Sequence, residues 1–87
     1  MFINKTKYGK NNICGENIYR FRKELKISQR ELADRLQLTG MDIDKNAIQR
    51  IEAGKRFVTD IEIIFLSKIL NKSFEEILKI NEIEFNK

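Results

Sequence analysis

Between Asp44 and Glu52 the chain carries Lys45, Asn46, Gln49 and Arg50, each with a hydrogen-bond donor at its tip. Residues three and four apart share a side of an α-helix, so these four form one face. Ala47, Ile48 and Ile51 are apolar and fall on the other side. Such a row of donors suits the base edges of a DNA major groove. Arg or Lys pairs there with guanine, and Asn or Gln pairs with adenine through two hydrogen bonds. Taken alone, the same row also suits an ordinary solvated helix face.

The elements that must hold this row can be read on either side of it. Asp44 is a good N-cap, and the helix it opens runs to Ala53, where Gly54 supplies the left-handed stop. An earlier helix opens at Ser28, with Glu31 three residues on to complete a capping box. Leu32, Ala33 and Leu36 recur at helical spacing, which buries one face and leaves Arg30, Asp34 and Arg35 in water. A turn from Thr39 to Ile43 joins the two, with Asp42 as a rival cap. Lys55 and Arg56 follow the glycine, and their charges suit phosphate contacts, which set register without reading sequence.

Helix, turn, helix and glycine stop together resemble the helix-turn-helix of the Cro and phage-repressor family of DNA-binding proteins. The resemblance rests on Ser28-Gln29, Glu31-Leu32-Ala33, Ile48, Ile51-Glu52 and Gly54-Lys55-Arg56, and it extends from about Ile18 to Ile77. The turn at 39–43 is longer than is usual in that family. The resemblance implies a compact, all-α, five-helix domain like that of lambda repressor. It also implies that Gln29, at the positive start of its helix, contacts a DNA phosphate. It further implies that Arg22 pairs with Glu52 and joins the first helix to the end of the recognition helix. Chemistry supports that pairing, since guanidinium and carboxylate fit through two parallel hydrogen bonds.

Composition narrows the remaining choices. Eighty-seven residues make one small domain. The absence of proline favours an all-α chain. No apolar run is long enough to cross a bilayer, and the first 15 residues lack the apolar core of a signal peptide, so a cytoplasmic protein is expected. With no histidine and a single Cys14, neither a zinc site nor an internal disulfide is expected. No glycine-rich phosphate loop or catalytic constellation is visible either, so neither an enzyme nor a cofactor is expected. The net charge of +4 is unevenly spread. Residues 1–14 carry three lysines and no acid, and residues 15–58 carry ten basic and seven acidic groups. Residues 59–87 carry four basic and six acidic groups. The excess sits with the helix-turn-helix half and the arm before it, which fits a polyanion partner.

Three segments follow from this reading: a basic N-terminal arm at 1–14, the DNA-binding domain at 15–80 and a tail at 81–87. The arm shows little periodicity and reads as flexible, with Phe2, Ile3 and Tyr8 as docking points; such arms can reach phosphates or the minor groove. The first helix is expected over Gly15 to Lys26, burying Ile18, Phe21, Arg22 and Leu25. Phe57 is expected in the core. A fourth helix opens at Thr59 with a Glu62 capping box and runs to about Leu70. It is more apolar than one buried face needs, which points either to a helix wrapped on several sides or to an exposed patch for a partner. A fifth opens at Ser73 with Glu76, its Phe74, Ile77 and Leu78 facing inward and Ile80 a further candidate. Ile83 and Phe85 add apolar residues to the tail.

The function that unites these features is sequence-specific binding of double-stranded DNA by a small transcriptional regulator, a repressor working as a homodimer. The alternative is an antitoxin or other interaction module that holds a protein partner through its last helices.

Overall fold

The structure, a computed structural model, describes residues 4–80. Phe2, Ile3, Ile83 and Phe85 lie outside the described residues, as does the 81–87 tail. Five helices follow one another: α1 (Gly15–Glu24), α2 (Gln29–Leu38), α3 (Lys45–Glu52), α4 (Asp60–Leu70) and α5 (Phe74–Ile77). No strand occurs among the described residues.

Four helices begin where a short polar side chain takes one of the backbone N–H groups that the first turn leaves unpaired. Ser28 accepts from Glu31 N at 3.0 Å and Asp44 from Ala47 N at 2.8 Å. Thr59 accepts from Glu62 N at 3.2 Å and Ser73 from Glu76 N at 3.1 Å. At Thr59 and Ser73 the glutamate also reaches back to the cap N–H, so both boxes close. The box expected at Ser28 is half formed, because Glu31 turns to Arg35 at 2.6 Å along the exposed side of α2. Each cap contributes about 1 kcal/mol.

The core is one cluster drawn from every helix. Ile18 of α1, Leu32 and Leu36 of α2, Ile48 and Ile51 of α3, Leu66 and Leu70 of α4 and Ile77 of α5 are fully buried. Each such side chain is worth about 1.5–3 kcal/mol over its exposed state. The long turn after α2 joins this core. Met41 and Ile43 are buried, Met41 N donates to Leu36 O at 3.1 Å, and the Gln37 side chain donates to Ile43 O at 2.5 Å. Its extra length is folded down onto the domain, and Asp44 rather than Asp42 is left to cap α3.

Several expectations at the helix ends change. α1 stops at Glu24, with Lys26 in a left-handed conformation (φ 58°). Leu25 is therefore carried outward, and Ile27 enters the core in its place. Phe57 is exposed, because the loop between Gly54 and the Thr59 cap turns Val58 inward instead. α5 is a single turn and can present only Ile77 to the core, so Phe74, Leu78 and Ile80 sit at its exposed rim. Within the arm, residues 6–12 are tied down. Thr6 is buried, Thr6 N donates to Lys10 O at 2.9 Å, and Lys10 N donates to the Thr6 hydroxyl at 3.0 Å. Tyr8 points into solvent.

Candidate nucleic-acid interface

The opposite sides of α3 have opposite fates. Ile48 and Ile51 are fully buried and Ala47 is half-buried, which fixes how the helix is rotated about its axis. Lys45, Asn46, Gln49 and Arg50 are consequently all exposed. None of the four makes a side-chain hydrogen bond or ion pair with another described residue. They form a short, rigidly mounted row of free donors at the surface.

α3 is tied to α1 and α2 through Glu52. Arg22 meets its carboxylate as a fork, Nε to Oε2 at 2.6 Å and Nη2 to Oε1 at 2.9 Å. The third guanidinium nitrogen, Nη1, donates to Ile27 O at 2.8 Å. Arg22 is buried, and its hydrogen bonds to the Glu52 carboxylate raise its already high pKa against the opposing effect of desolvation. Gln29, the first residue of α2, also donates to Glu52 Oε1, at 3.0 Å. Its amide is thereby held in one orientation, with its second N–H still available to a ligand. The start of α2 lines an open groove shared with Lys23, Lys26, Arg30 and Lys45. Lys23 and Lys26 had no marking in the sequence, since their approach to Lys45 depends on how α1 crosses α3.

The two cations after Gly54 take different environments. Lys55 is exposed, and its ammonium has no ion pair among the described residues. Arg56 grips Glu62 at 3.0 Å through both Nη1 and Nη2, and Nη1 also donates to Phe57 O at 3.1 Å. The phosphate contact expected of Arg56 therefore competes with a forked ion pair that clamps the loop to α4. The pair pulls the Glu62 pKa below the usual carboxylate range, chiefly through the hydrogen bond from Arg56, with the Thr59 backbone N–H adding to it. Arg56 is raised in turn by the same bond.

No cluster of metal-ligating side chains occurs among the described residues. Cys14 is free and buried, and desolvation pushes its thiol up to about 11, which keeps it protonated near neutrality. No helix among the described residues is long and apolar enough to cross a membrane.

This geometry has relatives. Residues 18–77 match the helix-turn-helix family. The chain is similar to the P22 c2 repressor protein as seen in its crystal structure in complex with synthetic operator 9T in the presence of Tl+. The TM-score is 0.66 and the identity 29%, over 78% of this chain and 96% of the repressor chain. No curated protein matches. The matched span runs from α1 to α5 and takes in both helices of the motif, and on that ground the chain belongs to the helix-turn-helix DNA-binding family of Cro and the phage repressors.

Proposed function

We propose that the chain is a transcriptional regulator that binds a specific double-stranded DNA site as a homodimer and represses by occupying it. The observation that carries this reading is the exposed, unengaged donor row of α3, backed by a fully buried apolar face and mounted in a repressor-like fold. Lys45, Asn46, Gln49 and Arg50 read base edges in the major groove. Gln29 and Lys55 hold phosphates on either side, and Lys23 and Lys26 extend the positive surface beside α2. The P22 repressor's binding to operator DNA supports a duplex as the partner here.

Dimerisation is supported by a different face. Ile61, Ile64, Phe74 and Leu78 line one apolar surface where α4 meets α5, all exposed on a single chain. A two-fold pair of chains places two α3 helices for half-sites about one helical turn, about 34 Å, apart. The same face is what favours the second reading, a complex with a different protein. Mass decides between them: a lone chain that sediments as a dimer supports the first, and a monomer that becomes well behaved only with a partner supports the second.

Base readout is tested by comparing Arg50→Ala with Lys55→Ala on a selected site and on random duplex. Arg50→Ala is expected to weaken only the selected site, by about 1–3 kcal/mol, whereas Lys55→Ala weakens both alike. Equal losses on both duplexes for both variants would remove Arg50 from base readout.

A further inference from the structure

We infer that Asn11 and Asn12 are positioning residues for DNA binding, which hold the loop that carries Lys55 in the form that meets a phosphate. The inference rests on the proposed DNA contact of Lys55 and extends it to a segment that precedes the matched family region, which starts at residue 18.

Three successive carbonyls of the loop are taken by this pair. Asn11 N donates to Gly54 O at 2.7 Å, Asn11 Nδ2 to Lys55 O at 2.9 Å, and Asn12 Nδ2 to Arg56 O at 2.7 Å. The three matching N–H groups are bound on the other side by the last turn of α3. Gly54 N reaches Ile51 O at 2.9 Å, and Lys55 N and Arg56 N reach Arg50 O at 2.9 and 3.3 Å. Both polar backbone groups of each residue from 54 to 56 are therefore paired, which is unusual for a surface loop. With its carbonyls turned toward residues 11–12, the backbone of Lys55 is fixed and only its side chain stays free.

The segment that does this is itself anchored. The Asn12 amide also donates to Ile51 O at 3.1 Å, and its oxygen accepts from Gly15 N at 2.9 Å, so one side chain joins the start of α1 to the end of α3. Gly15 permits that closeness: a Cβ there would stand 2.2 Å from Ile51 O. Lys10 lies over Gly54, and Lys10 also pairs with Glu16 at 2.5 Å. A loop held this way has little freedom left to lose when its lysine meets a phosphate, which favours binding.

Asn11→Ala is the informative variant, because its side chain makes one donation, to the Lys55 carbonyl, and leaves the Asn12 bridge intact. The probe is a random 20-base-pair duplex at low salt, since phosphate contacts are independent of sequence. Asn11→Ala is expected to weaken binding about fivefold in the wild-type background and not at all when Lys55 is already alanine. Hydrogen exchange should quicken about tenfold at the amides of 54–56 and stay unchanged in α2. An equal loss in both backgrounds, no loss in either, or faster exchange throughout the chain would overturn the inference. If Lys55→Ala alone leaves binding unchanged, the proposed phosphate contact of Lys55 falls first and the inference falls with it.

Discussion

Arg22 on α1 and Glu52 on α3 meet through two parallel hydrogen bonds, Nε to Oε2 at 2.6 Å and Nη2 to Oε1 at 2.9 Å, with both side chains more than nine-tenths buried. Glu52 ends α3, so the pair ties the end of that helix to α1. Because Gln29 also reaches Glu52 Oε1, the same carboxylate orients the first side chain of α2. One buried charge thus aligns the two halves of the DNA-binding motif.

Removing one member strands the other. Arg22→Ala leaves the Glu52 carboxylate buried with only Gln29 beside it, at a loss on the order of 3–5 kcal/mol. Each kcal/mol moves the melting temperature of a domain this size by about 4–8 °C, so a fall of more than about 10 °C is expected. A thermal melt within about 2 °C of wild type, on that same scale, would contradict this.

Acid should loosen the clamp between the loop and α4. Folding depresses the Glu62 pKa from its reference value of 4.5, mainly through Arg56. A depressed carboxylate stabilises the fold fully above its unfolded value and loses that contribution as the pH falls through the lower folded value. Urea stability is therefore expected to drop below about pH 4.5, and Glu62→Gln should be less stable than wild type at pH 7 but less sensitive to acid. Glu76 is lowered by its Ser73 cap and adds a slope of the same sign. Parallel acid limbs for wild type and Glu62→Gln would show that the Arg56 pair contributes nothing to the pH dependence.

The apolar surface of α4 and α5 can be altered without touching the core. Ile61 is 64% exposed, so Ile61→Lys should leave the melting temperature of the isolated chain nearly unchanged while converting a dimer to a monomer in sedimentation velocity. A dimer that survives the substitution would place the interface elsewhere.

What could be read from sequence was what local chemistry decides. Ser28, Asp44, Thr59 and Ser73 each do the capping their type and position suggest, and Gly54 ends α3 at a positive φ of 77°. The inward spacing of Leu32, Leu36, Ile48 and Ile51 was equally legible, because helix periodicity is a property of the segment itself. The clamp from Asn11 and Asn12 was not legible. Its donors find carbonyls 39–44 residues away, and a run of Asn and Lys without periodicity looks the same whether or not those partners exist. The pairing of Arg56 with Glu62 was hidden for a related reason: Glu62 already had a sufficient role in the Thr59 cap, and it performs both. Phe57 and Phe74 show the limit of apolarity as a guide, since a short loop and a one-turn helix have fewer inward positions than apolar residues.

The most direct test of sequence-specific DNA binding is equilibrium binding of the purified chain to the DNA upstream of its own coding sequence and to random duplex, across a salt series. Tight binding to one upstream site, a large preference over random DNA, and affinity that falls steeply as salt rises are expected, because phosphate contacts release counterions. Weak binding to both duplexes with no preference at any salt concentration would contradict sequence-specific binding.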